Sequence, residues 1–173
     1  MVPLAEQLQN MATATAIRES TLAFPIILSL HLTGMALFGG MILLTDLRLL
    51  GVAMTRRPIS EVINGLRPWK HLGLTLVATC GLLLAWSKLA FYIVNPYFHL
   101  KLTLLLLVAI HALVFRKSVY RNGKELDRSS VIPGRAKLAA AISLVLWMGL
   151  VSAGRWIGYW EPKEDTTAAQ LVN

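Results

Sequence analysis

The chain has 173 residues, of which 55% are hydrophobic and only 15% are charged, whereas an ordinary soluble domain has about 25% charged residues. With a mean hydropathy of +0.59, a soluble fold would expose large apolar patches, so the composition excludes a soluble globular domain and a disordered chain. It indicates a single integral membrane domain over residues 1–173. The net charge of +8 then belongs to loops between membrane spans and needs no nucleic-acid partner to explain it.

The predicted elements begin with a segment of mixed polarity, residues 3–20, which forms either a short interfacial helix or an irregular tail. Apolar runs follow it, each close to the roughly 20 residues that a bilayer-crossing helix needs. They cover residues 21–44, 72–94, 98–115 and 138–159. The predicted fold class is therefore an all-α membrane protein, a bundle of four transmembrane helices.

The basic residues predict how the chain is oriented. Loops 46–71 and 116–137 hold 12 of the 17 lysines and arginines, and in a four-span protein these two loops lie on the same side of the membrane. Because cytoplasmic loops are enriched in lysine and arginine, both loops are expected in the cytoplasm and both termini outside it. The same loops should favour anionic lipid head groups.

Three cations lie unusually deep in the predicted spans, and charged side chains at such depth often mark functional sites. At a rise of 1.5 Å per residue, Lys88, Lys101 and Arg155 each lie roughly 9–10 Å from mid-span on the outer side. No acidic residue shares that depth. The lysines can extend to the interface. Arg155, between small residues in SAGRWIGYW, instead favours a planar anion such as a haem propionate, a lipid phosphate or a small carboxylate.

The chain has four histidines, and histidine is the usual axial ligand of b-type haem. His31 lies about 3 Å outward of mid-span, and Gly34, one turn away, would let a flat group approach; an interhelical hydrogen bond explains His31 equally well. Pairing His31 with His99 and His71 with His111 would hold two haems. However, each pair differs in depth by roughly 9–10 Å. One haem or metal between His31 and His111 is less strained, although still offset.

Three segments carry a resemblance to known proteins. FPIILSLHLTGMALFGGMILLTDLRLLG, FHLKLTLLLL and GRWIGY together resemble a family of small bacterial inner-membrane proteins known only as a domain of unknown function. The resemblance implies four spans and a bacterial inner membrane, and it implies no activity. The positions that fall on its motifs are His31, Asp46, Arg48, Lys101, Arg155 and Trp156. The layout is also loosely similar to small four-helix b-type cytochromes and to the copper-resistance membrane domain.

These observations predict a small membrane subunit without independent catalytic activity that binds a cofactor or anionic ligand in its outer half. The leading hypothesis is b-type haem for electron transfer, with His31 on the iron, Lys101 and Arg155 on the propionates, and other membrane or extracytoplasmic redox subunits as partners. The alternatives are a permease or accessory protein for a small anion or a metal, and a structural subunit of a larger complex. If the ligand is a metal, copper(I) is a candidate, because thioether ligands suit it. The methionines that could bind it together with His31 are Met35, Met41 and Met148.

Overall fold

The computed structural model describes residues 2–115, 119, 123–129 and 131–161, and within these ranges it contains helices, turns and loops but no strand. The helices in these ranges are α1 (Val2–Gln9), α2 (Ala12–Glu19), α3 (Ala23–Leu50), α4 (Ile59–Ser87), α5 (Leu89–Val94), α6 (Pro96–Phe115), α7 (Gly123–Arg128) and α8 (Gly134–Ile157). Four of them, α3, α4, α6 and α8, are long and apolar enough to cross a membrane. The prediction of an all-α, four-span membrane protein is therefore confirmed.

Some residues used to predict the orientation fall outside the described ranges. They are Arg116, Lys117 and Arg121 of the second basic loop, together with residues 162–173 of the tail. The remaining basic loop residues lie at one end of the helices, which is called the inner end below. The opposite end, where α1, α2, α5 and the last turn of α8 lie, is called the outer end.

The second predicted span, residues 72–94, is wrong as a single helix. α4 ends at Ser87, Lys88 has the non-helical angles φ −134° and ψ 41°, and α5 begins after it. The long helices also extend beyond the apolar runs into polar sequence. α3 continues to Leu50 and ends where Gly51 adopts a φ of 79°, a left-handed conformation in which glycine commonly ends helices.

The long helices form an open arc. α3 packs against both α4 and α8, and α8 packs against α6. α4 and α6, both described along their whole length, make no extended contact with each other and are joined at the outer end by α5. The backbones of α3 and α4 come close together at Gly73, where an added Cβ would lie 2.7 Å from the backbone nitrogen of Phe38. Glycine at this position thus lets two membrane helices approach at backbone distance.

The inner end is closed by a small apolar core and by a helix cap from a distant segment. The core residues are Leu49, Ile59, Ile63, Val119, Leu126, Ala136, Ala139 and Ala140. Asp127 of α7 accepts hydrogen bonds from the backbone amides of Ile59 and Ser60. These are the first amides of α4, so the Asp127 side chain caps the N-terminus of that helix. Slight desolvation of Asp127 acts to raise the pKa of its carboxyl group. Its hydrogen bonds with Ser60 and Ile59 outweigh this effect, so the pKa is lowered.

Candidate functional site

At the outer end, the N-terminal helices dock onto the break between α4 and α5. A helix break frees backbone groups that must find partners where water is scarce. Here the side-chain oxygen of Gln9 accepts a hydrogen bond from the amide of Ala90 at 3.0 Å, and Arg18 donates to the carbonyl oxygen of Ser87 at 3.3 Å. Trp86 also donates to the carbonyl oxygen of Leu8. The first two helices are therefore an integral part of the outer end.

A buried asparagine fixes the other helices at this end. Asn95 is fully buried, and its side-chain oxygen caps α6 by accepting a hydrogen bond from the amide of Tyr97 at 2.9 Å. Its amide nitrogen donates to the carbonyl oxygen of Ile157 at 3.2 Å, in the last turn of α8. Pro96 supplies the first residue of α6, a position where a missing amide proton costs nothing. One side chain thus holds the outer ends of α5, α6 and α8 together.

These contacts surround a cavity of about 830 Å³ in the outer half, a size within the usual range for ligand pockets of roughly 300–1,000 Å³. Its wall is mainly apolar and includes Phe24, Leu28, Leu32, Met35 and Phe98. The polar and charged side chains on the wall are Gln9, Asn10, Arg18, His31, Lys88, Tyr92, Lys101 and Arg155. Four of these are lysines or arginines, and none of the described residues that line the cavity is an aspartate or a glutamate.

His31 forms the deeper part of the cavity wall. It lies on α3 and is 8% exposed, and its Nδ1 lies 3.1 Å from the carbonyl oxygen of Val77 on α4, to which it donates a hydrogen bond. The ring packs against Gly81, where an added Cβ would lie 2.9 Å from His31 Cε1. In this tautomer Nε2 carries the free lone pair, the arrangement found in metal-ligating histidines that donate Nδ1–H to a carbonyl.

Lys101 and Arg155 form one cationic wall of the cavity. Lys101 lies on α6 and its amine rests against α8, where a Cβ added to Gly154 would lie 3.7 Å from Lys101 Nζ. Arg155 is exposed at the mouth. Its guanidinium lies 4.8 Å from the centroid of the Tyr159 ring and donates a hydrogen bond to the Tyr159 hydroxyl. These contacts hold the guanidinium plane in a defined position while they leave donors for an anion.

Of the six residues predicted from the sequence for the site, the cavity brings together His31, Lys101 and Arg155. The other three do not line it. His71 and His99 are exposed, and His111 donates from Nε2 to the carbonyl oxygen of Ala139 at 3.0 Å, between α6 and α8. None of the three predicted histidine pairings, His31–His99, His71–His111 and His31–His111, therefore has both members in this cavity. Within the described ranges, no three side chains among His, Cys, Asp and Glu converge to hold a metal ion.

Arg18 and Lys88 line the cavity but were not predicted as site residues. Arg18 reaches the cavity only because α2 docks onto the α4–α5 break, a contact between residues 69 positions apart. Lys88 was read as a side chain that extends to the interface. It is indeed exposed, and its amine lies 4.8 Å from the centroid of the Phe24 ring at the cavity wall, a cation–π geometry.

A second polar cluster lies at the inner end, between α3 and α4. Thr45 and Asp46 are each 1% exposed, and Lys70 Nζ donates to Thr45 Oγ1 at 2.6 Å. Lys70 also interacts electrostatically with Asp46. Asp46 is one of the motif positions of the resemblance described above. Lys70 thus offsets the charge of the buried Asp46 carboxylate between α3 and α4. The cluster links the two helices near the inner end.

Comparison with known proteins places the chain in a family but assigns it no activity. Searches of curated proteins and of solved structures find no match. Residues 21–160, which include α3, α4, α5, α6, α7 and α8, match a family of unknown function (DUF6644). The resemblance implied four membrane spans, and the structure contains four helices that can cross a membrane. The chain belongs to this family of unknown function, DUF6644.

Proposed function

We propose that this membrane protein binds an anionic, largely apolar ligand in its outer cavity. The observation that carries the proposal is the charge of the wall: Arg18, Lys88, Lys101 and Arg155 line one cavity, and within the described part of the chain no carboxylate lines it. Like charges in a region of low dielectric are costly unless an opposite charge or water compensates them. A ligand with an apolar body and an acidic group matches both the aromatic wall and the cations.

The proposed location follows from the distribution of charge. The cavity lies at the end opposite the loops that hold most of the basic residues, and cytoplasmic loops are the ones enriched in lysine and arginine. We therefore place the cavity on the extracytoplasmic side of a bacterial inner membrane, with both termini on that side. The ligand would then come from the outer leaflet or from the space outside the membrane, through the open side of the arc between α4 and α6.

The most specific candidate ligand is b-type haem. His31 supports this candidate because its Nδ1 is committed to the Val77 carbonyl oxygen, which leaves Nε2 as the ring atom that can ligate iron. Lys101 and Arg155 would bind propionate, since charge-assisted hydrogen bonds to carboxylates are strong. When bound, haem would supply a one-electron redox centre, and electron transfer to other membrane or extracytoplasmic subunits would follow. His31 is the only histidine that lines the described cavity, so the iron would have a single histidine ligand.

The haem hypothesis makes a spectroscopic prediction. Protein produced with ample haem should show a Soret band that shifts on reduction with dithionite, and His31→Ala should lose this band because the iron ligand is removed. His99→Ala is the matched control, since His99 is exposed and does not line the cavity, and it should keep the band. A wild-type protein without a Soret band would exclude haem while leaving another anionic ligand open. A band that persists in His31→Ala would place the haem elsewhere.

A further inference from the structure

The four cations of the cavity belong to two separate pairs on different walls. The first pair, Lys101 and Arg155, lies on α6 and α8, which pack against each other. The second pair, Arg18 and Lys88, lies on α2 and at the α4–α5 break. Because α4 and α6 make no extended contact, the two pairs face the same space from different sides of the arc.

The second pair is held in place by contacts with the protein. The Arg18 guanidinium donates to the carbonyl oxygens of Gln9 at 3.0 Å and of Ser87 at 3.3 Å, so it is fixed to the backbone of the residue that precedes Lys88. Among the described residues, the carboxylate that lies within ion-pair distance of Arg18 is that of Glu19, 4.0 Å away and 70% exposed. An ion pair of this length at the surface contributes little. The contacts of Arg18 with carbonyl dipoles therefore leave most of its positive charge available to a ligand in the cavity.

We propose that the ligand carries two separated anionic groups on one apolar body, the first bound by Lys101 and Arg155 and the second by Arg18 and Lys88. This inference rests on the proposed function and specifies its ligand class. A ligand with one anionic group would leave one cationic pair without an opposite charge among the described residues that line the cavity. Arg18 lies outside residues 21–160, which match the family, so one of the four cations comes from the N-terminal helices that precede the matched part of the chain.

Two sources could supply such a ligand. Haem carries two propionates on a flat apolar ring, and cardiolipin carries two phosphates between acyl chains. Both have the same chemistry, two acidic groups on one apolar body, and both have partners with a single acidic group. These partners are the monomethyl ester of haem, which has one free propionate, and phosphatidylglycerol, which has one phosphate. Because the lipid partner also has two acyl chains fewer, the loss of preference in Lys88→Gln is what assigns the preference to charge.

The experiment compares the dissociation constants of each dianion and its monoanionic partner for the purified full chain in detergent, measured by isothermal titration calorimetry. Since a hydrogen bond to a charged group contributes about 1.5–3 kcal/mol, the dianion of at least one couple should bind about tenfold or more tightly than its monoanion. The couple that shows this preference identifies the source. Lys88→Gln should remove the preference, so that the dianion and its monoanionic partner bind with similar dissociation constants. Arg135→Gln, a substitution at an exposed residue in the first turn of α8, should change neither.

Arg18→Gln should act in the same direction, but it also removes contacts that hold α2 in place, so Lys88→Gln is the decisive variant. Equal binding of dianion and monoanion in both couples, together with weaker binding of all of them to Lys101→Gln, would overturn the two-group ligand and leave anion binding in the cavity intact. Binding that is unaffected by Lys101→Gln would contradict both proposals. A preference for the dianion that survives Lys88→Gln would also overturn this inference.

Discussion

Replacing Arg155 by lysine is expected to reduce ligand retention almost as strongly as replacing it by alanine, although lysine keeps the positive charge. The Arg155 guanidinium stacks 4.8 Å from the Tyr159 ring centroid and donates to the Tyr159 hydroxyl. A planar fork can keep both contacts while it binds an anion with its remaining donors. An ammonium group is a point charge without this geometry. We therefore expect both variants to bind the ligand about tenfold or more weakly, since a charge-assisted contact contributes about 1.5–3 kcal/mol.

The measurement is the amount of ligand retained per protein after purification, together with the thermal unfolding midpoint. Arg135→Lys and Arg135→Ala are the matched controls, because Arg135 lies on the same helix α8 at the inner end and is exposed. Both control variants should retain ligand at the wild-type level. If Arg155→Lys equals the wild type in both measurements, Arg155 acts only as a point charge, and the contribution of its planar geometry to the site is refuted.

The second large effect is expected for Gly73→Ala, which should lower the free energy of unfolding in detergent by about 1–3 kcal/mol, the usual cost of overpacking. An added Cβ would lie 2.7 Å from the backbone nitrogen of Phe38 and 3.0 Å from its Cα. Backbone atoms cannot rotate away as a side chain can, so α3 and α4 must separate. Because His31 on α3 donates to Val77 on α4, this separation should also weaken ligand binding.

Gly65→Ala provides the matched control in the same helix, since an added Cβ at Gly65 would meet nothing within 4 Å. Alanine favours a helix by about 0.8–1 kcal/mol relative to glycine, so this variant should be as stable as the wild type or more so. Denaturant unfolding followed by circular dichroism compares the two. Equal stability of Gly73→Ala and Gly65→Ala would mean that close approach at Gly73 does not hold the helix pair together.

The sequence was sufficient to predict the four spans, because a bilayer requires long apolar helices and leaves few alternatives. It was not sufficient to predict that the second span breaks at Lys88. No proline or glycine marks that position. The break is stabilised instead by Gln9 and Arg18, whose contacts depend on how distant segments pack. Local patterns cannot reveal a helix end whose partners come from another part of the chain.

Some residues of the site could also be predicted from the sequence, and others depend on how the helices pack. His31, Lys101 and Arg155 were predicted because polar side chains deep in an apolar span are costly and conspicuous, and all three line the cavity. His111 met the same criterion, but it donates to a carbonyl oxygen of the neighbouring helix, since depth does not specify which face of a helix a residue occupies. Arg18 precedes the first span, so the sequence gives no indication that it lies deep in the membrane. That it lines the cavity becomes visible only from the docking of α2.

The central claim is that the outer cavity holds an anion, and the most direct test is the anion content of the purified protein. Organic extracts of the wild type and of a Lys101→Gln/Arg155→Gln double variant would be compared by negative-ion mass spectrometry, with Arg135→Gln/Lys137→Gln as a control that removes the same charge from exposed positions at the inner end. The account predicts one anionic amphipathic compound that is present in the wild type and the control and depleted in the first double variant. Equal content of every anion in all three proteins would contradict it.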